Sequence, residues 1–197
     1  MAIAFRCRCG KLQGEVEPAV AYIRAVCYCK DCQAFARALD REQEALDPNG
    51  GTDLVALRPD GVRFTAGREQ VTCLSLSPKG LLRWYSACCH TPFANTPREP
   101  KLPYVGVLAS CMTAEPDALD AAFGARHIAI GTASALGEVA ATPVRTTLGV
   151  LRIMWGVFWA KLGRHRVNPF FDATTSQPIV EPRVLTRDER AEAERAR

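Results

Sequence analysis

Three thiols fall within six residues at Cys27-Tyr28-Cys29-Lys30-Asp31-Cys32. A single buried Cys is a small hydrophobe, but three at this spacing are hard to place by packing alone and read as ligands converging on a metal. The chain around them must bend. Extended backbone aligns Cys27 with Cys29, and Cys32 joins them only if the chain turns after Cys29. The other cysteines support the reading, with Cys7 and Cys9 upstream and Cys88 and Cys89 downstream, while Cys73 and Cys111 stand apart. Seven clustered thiols fit one closed tetrahedral site and one three-ligand site with an open position. Cys7, Cys9, Cys88 and Cys89 make the first, and Cys27, Cys29 and Cys32 the second. The expected cofactor is zinc, one or two ions.

The 197 residues are 48% hydrophobic and carry a formal net charge of +4. That supports an ordinary core without disulfides and gives no argument for nucleic acid. Residues 1–6 hold no apolar stretch long enough for a signal peptide before Cys7, and nine cysteines is an odd number. The expectation is a reducing, cytoplasmic compartment with metal-bound thiolates.

In order along the chain, residues 3–16 read as strand, turn at Gly10 and strand, with Cys7 and Cys9 on one strand face. The alternative is two core cysteines. Residues 21–26 form a strand that delivers Cys27. Asp31 is the expected N-cap of a helix over residues 32–46, which places Cys32 where the helix dipole favours thiolate. Residues 52–109 alternate in short runs separated by Pro and Gly turns, which indicates antiparallel sheet; Cys73 reads as a strand residue. A short helix follows at residues 115–124 and a last strand at 128–130. The fold class is mainly β, antiparallel, with short helices. A domain over 1–131 precedes an extension over 132–185. The tail over 186–197 alternates acid and base and is expected as a solvated helix or disordered.

Residues 148–162 place Leu148, Leu151, Trp155, Phe158 and Leu162 on one stripe of a helix, too short and too charged for a bilayer span. Three readings stand: a helix docked on the domain, a homodimer or partner helix, and a membrane-surface helix, the last supported by Arg164-His165-Arg166. Asn168-Pro169-Phe170-Phe171 reads as an aromatic turn that packs down.

The order Cys7-Arg8-Cys9-Gly10, then Cys27 to Cys32, then Cys89-His90-Thr91-Pro92-Phe93 resembles the glutathione-dependent formaldehyde-activating enzymes, a family that includes centromere protein V. The resemblance spans residues 5–110. It implies a β-tent fold, a structural zinc at Cys7, Cys9 and Cys89, and a second zinc at Cys27, Cys29 and Cys32 associated with glutathione-adduct chemistry. It implies glutathione or another small thiol as partner. The late motif departs from the family pattern: Ser86 stands where a Cys is expected, Cys88 adjoins Cys89, and His90 replaces a Gly. Three arrangements follow: Cys88 and Cys89 share the first site through a bend, Cys88 points toward the triplet, or the first site is degenerate. His90 is a further candidate ligand; the lone His127 and His165 are given no role. Lys30, Arg37 and Arg83 are candidates for substrate carboxylates, and Asp31 is the nearest acid or base. Two functions compete: a carbon–sulfur lyase acting on glutathione–aldehyde adducts, and a non-catalytic zinc-stapled scaffold that uses the C-terminal helix.

Overall fold

The computed structural model describes residues 1–126, 128–163 and 167–195. His127 and Arg164-His165-Arg166 lie outside the described residues.

The strands are β1 (Ile3–Arg6), β2 (Gln13–Val16), β3 (Ala21–Cys27), β4 (Thr52–Leu57), β5 (Val62–Ala66), β6 (Val71–Ser75), β7 (Leu82–Ser86), β8 (Pro92–Thr96), β9 (Val105–Leu108), β10 (Ala129–Ile130) and β11 (Arg183–Val184). The helices are α1 (Lys30–Ala38), α2 (Glu42–Ala45), α3 (Pro116–Phe123), α4 (Pro143–Leu162) and α5 (Arg187–Glu194). Strands β1-β2-β5 form a small sheet, and β10-β3-β4-β9-β8-β7-β6-β11 form a large one. The fold is mainly β, as expected. All pairs are antiparallel except the short edge strands, β10 on β3 and β11 on β6, which run parallel.

The core is aromatic. Phe5 from the small sheet stacks on Phe93 from the large one at 6.0 Å between centroids, and Phe64 meets Phe93 edge-on at 6.0 Å. Phe170 slots between Phe93 and Trp84, 6.2 and 5.0 Å from them, and is fully buried. The aromatic turn of the extension therefore completes the core of the two sheets. Rings at these separations bury large apolar area and add edge-to-face attraction.

The single helix expected over residues 32–46 is two. Asp40 adopts a left-handed φ of 53°. The Arg41 N–H then donates to Ala36 O at 2.9 Å and the Asp40 N–H to Arg37 O at 2.9 Å. These bonds satisfy the last carbonyls of α1 as a Schellman cap does, with Asp where Gly is usual because Asp tolerates the left-handed region. The N-cap also differs from expectation: Cys29 Sγ, not Asp31, accepts from the Cys32 N–H, at 3.4 Å.

Helix α4 docks on β3 by its small residues. A Cβ added at Gly149 would lie 2.8 Å from Ile128 Cδ1, and one at Gly156 2.5 Å from Tyr22 Cδ1. Both glycines are needed for that approach, and Ala160 is buried beside them. The stripe from Leu148 to Leu162 faces away from the protein, with all five residues exposed. Of the tail, Arg187–Glu194 is helical, the first of the two expected states. Thr186 and Glu189 form a reciprocal capping box for α5, and Leu185 and Ala193 bury against Ala34, Phe35 and Leu39 of the α1 segment. Arg37 Nη1 donates to Ala193 O at 3.5 Å.

Candidate metal centres

The chain leaves β1 at Arg6 and turns at once. Gly10, with φ 77°, closes the turn: its N–H donates to Cys7 O at 2.9 Å, and the Leu12 N–H donates to Cys7 Sγ at 3.3 Å. Cys7 and Cys9 therefore sit in a turn, not on the strand face that alternation suggested, and it is the turn that brings their sulfurs within 3.6 Å.

Cys88 and Cys89 occupy the turn between β7 and β8. The His90 N–H donates to Ser86 O at 2.8 Å, and Ser86 Oγ accepts from the Thr91 N–H at 3.0 Å. His90 takes φ 56° to complete it. A glycine would meet that requirement without strain. Along a strand, adjacent side chains point apart; across this bend they point together. Cys88 Sγ lies 3.7 Å from Cys7 Sγ, 3.3 Å from Cys9 Sγ and 3.9 Å from Cys89 Sγ. A tetrahedral thiolate site with metal–sulfur bonds of about 2.3 Å has sulfur–sulfur edges of about 3.8 Å. The four sulfurs, all within 4.8 Å of one another, have the dimensions of such a site.

Cys88 therefore belongs with Cys7, Cys9 and Cys89. Ser86, where a fourth thiol was expected, instead supports Cys89: its Oγ lies 3.4 Å from Cys89 Sγ, and Thr91 Oγ1 lies 3.3 Å away. Burial raises the Cys89 thiol, but these hydroxyls and Cys9 outweigh it and bring the pKa down to about 5. Burial and the neighbouring thiols push Cys88 up to about 12. Arg41 donates twice to Cys89 O, at 3.1 and 2.9 Å. The Schellman break in the helix is what turns Arg41 toward this bend. His90 is exposed and rests against Tyr85, its ring centroid 6.0 Å away, and takes no part in the cluster.

The second cluster is local. Cys27 ends β3, Cys29 caps α1 and Cys32 lies in the first turn of that helix. Their sulfurs also lie within 4.8 Å of one another, and no fourth His, Cys or carboxylate joins them among the described residues. Cys27 and Cys32 are buried and Cys29 is partly exposed, so Cys29 marks the accessible side. Hydrogen bonds from Cys27 and then Cys32, with the Cys32 N–H and the Arg83 charge, bring Cys29 down to about 2. Cys27, its thiol hydrogen-bonded to Cys29, rises to about 11, and Cys32 rises through its hydrogen bonds to Cys27 and then Cys29 and by burial. A bound ion would displace the protons that thiols of the triplet carry.

Arg83, named from sequence only as a possible carboxylate binder, is buried beside this cluster. It donates to Asn95 Oδ1 at 3.2 Å, lies 3.7 Å from Asp31 and sits over the Phe35 ring at 5.4 Å. Lys30 is exposed next to Cys29. Arg37 is engaged elsewhere, with Gln33 and Glu42. Two neighbours had no sequence signal. Tyr104 has its phenol pushed up to about 12, chiefly by burial. Gly131 has φ 68°, and a Cβ there would lie 3.1 Å from the Cys29 backbone nitrogen. It lets the chain after β10 pass directly over Cys29. The register of β10, with Ile130 opposite Cys27, sets that path.

Residues 1–181 match a protein family described as a family of unknown function, DUF6151. The chain belongs to this family. The match takes in both cysteine clusters, α4 and Phe170, and stops before β11 and α5. No curated protein sequence matches the chain. Among solved structures, a crystal structure of a Rhodobacter sphaeroides protein, a structural genomics target, is similar at 18% identity with a TM-score of 0.41, covering 59% of this chain and 94% of that one. A TM-score of that size is too low to assign a shared fold.

Proposed function

We propose that this DUF6151 chain is a two-site zinc protein: Cys7, Cys9, Cys88 and Cys89 hold a structural ion, and Cys27, Cys29 and Cys32 hold a second ion that takes a small exogenous thiol as its fourth ligand. The observation that carries the reading is the unequal donor count, four sulfurs at one cluster and three at the other. When bound at the triplet, zinc lowers the pKa of a coordinated thiol or hydroxyl. The chain supplies the rest. Arg83 offsets the negative charge of three thiolates from inside the protein. Cys29 keeps one side of the cluster accessible. Lys30 stands beside it to meet a substrate carboxylate. This arrangement suits the adduct of a thiol such as glutathione with an aldehyde, the chemistry that the family resemblance implies. Carbon–sulfur bond formation or cleavage is the reaction class.

One observation favours the second reading, a zinc-stapled scaffold without chemistry. Asp31, the nearest candidate for proton transfer, is held in ion pairs with Arg83 at 3.7 Å and Arg190 at 3.6 Å.

Metal analysis of the purified protein separates the readings from a wrong site assignment. The wild type should carry two equivalents of zinc and Cys29→Ala one. A Cys29→Ala protein with the same metal content as wild type overturns the triplet site. If both equivalents are present but neither glutathione nor its formaldehyde adduct alters the metal's coordination, the scaffold reading replaces the enzyme.

A further inference from the structure

The outward face of α4 is a convex apolar ridge. Leu148, Leu151, Met154, Trp155, Phe158 and Leu162 are each more than half exposed. Trp155 touches Phe158 and Trp159, with ring centroids 6.3 and 5.6 Å apart, so the aromatic surface is continuous. A patch of this kind on a soluble surface marks an interaction site. Its charge pattern narrows what the partner is. The only charged residues of α4 are Arg145, Arg152 and Lys161; it has no carboxylate. At about 3.6 residues per turn, Leu151, Phe158 and Leu162 lie opposite the docked Gly149–Gly156–Ala160 line. By the same geometry Arg145 and Arg152 fall on one flank of that ridge and Lys161 on the other. Apolar and aromatic groups at the crest with cations at the flanks are the pattern of a helix lying in the plane of a bilayer.

The geometry points to α4 as an in-plane membrane anchor for an anionic lipid surface. It does not span: among the described residues no helix is long and apolar enough to cross a membrane, and the opposite side of α4 is fixed to β3. A second copy fits the face poorly. In a two-fold antiparallel pairing centred near Arg152, each helix would set its Arg145–Arg152 flank against the same flank of the other, with Arg152 near Arg152 and no carboxylate on either helix to answer them. Protein partners of single helices generally offer a groove, whereas a ridge with flanking cations presents its whole surface to a flat anionic one. The sequence directly after α4 adds Arg164 and Arg166.

Two of the three tryptophans, Trp155 and Trp159, are on the exposed face, and Trp84 is fully buried. Intrinsic fluorescence therefore reads α4 directly. The full-length protein should sediment with vesicles of phosphatidylcholine mixed with phosphatidylglycerol, and with phosphatidylcholine alone much less. Added salt should release it, and its tryptophan emission should shift to the blue on binding. Leu151→Glu combined with Phe158→Glu changes only exposed positions and should abolish both signals with metal content and circular dichroism unchanged. Absence of sedimentation with either vesicle overturns the proposal. Equal, salt-insensitive binding to both overturns the role of the cations. A dimer whose emission is already blue in buffer, and which the double variant converts to monomer, assigns the ridge to a second copy instead.

Discussion

The two cysteine clusters are made in opposite ways. The four-sulfur cluster joins residues 79 to 82 apart in sequence, bringing a turn at the foot of the small sheet against a turn of the large one. The three-sulfur cluster draws on one local junction, where β3 passes into α1. A metal in the first closes a long loop, and its binding energy becomes folding energy. A metal in the second closes almost nothing. Its ligands are held already by strand pairing and a helix start, so the fold does not require a fourth. The contrast separates a site that stabilises from a site that is free to exchange a ligand.

The sharpest way to break this comparison is Cys9→Ser. Cys9 is exposed, and an exposed substitution without a special role moves stability by no more than about 0.5 kcal/mol. With a metal there, thermal unfolding should show a loss on the order of 3 kcal/mol, roughly 6–12 °C in Tm for a chain of this size. One metal equivalent should go with it. Next in size is Arg83→Met, which keeps apolar bulk over Phe35 but leaves Asn95 without its donor; denaturant unfolding should show a loss of about 1–3 kcal/mol. The triplet, deprived of its buried cation, should release metal to a chelator sooner than wild type. Cys29→Ala should remove the other metal equivalent but cost only about 1 kcal/mol, the worth of the N-cap it provides. A destabilisation as large as that of Cys9→Ser would erase the distinction between the clusters. The smallest effect is His90→Gly. It relieves a left-handed residue, and should change stability by less than about 1 kcal/mol, toward gain, with both metal equivalents retained. Loss of metal in this variant would make His90 a ligand.

The grouping of the seven cysteines is legible in the sequence because packing alone rarely places thiols two and three residues apart. The placing of Cys88 with Cys7, Cys9 and Cys89 is among the sequence expectations, but the bend that permits it is not legible. That bend is held by Ser86, Thr91 and a positive φ at His90, and none of these is a turn residue that announces itself. The helix break is hidden in the same way, since Asp40 occupies a place where Gly is the usual signal. For α4 the apolar stripe shows in the periodicity, but its direction does not. Gly149 and Gly156, seven residues apart, determine which side can reach the sheet. For α5, two small contacts by Leu185 and Ala193 fix a segment whose composition otherwise looks like a solvated tail.

The central claim is that the triplet at Cys27, Cys29 and Cys32 binds a metal and leaves one position for an outside thiol. Cobalt(II)-substituted protein titrated with glutathione tests it most directly. The account predicts a rise in sulfur-to-cobalt charge-transfer absorption that saturates at one glutathione per chain, persists in Cys9→Ser and is absent in Cys29→Ala. A spectrum that glutathione leaves unchanged in the cobalt-loaded wild type would contradict it.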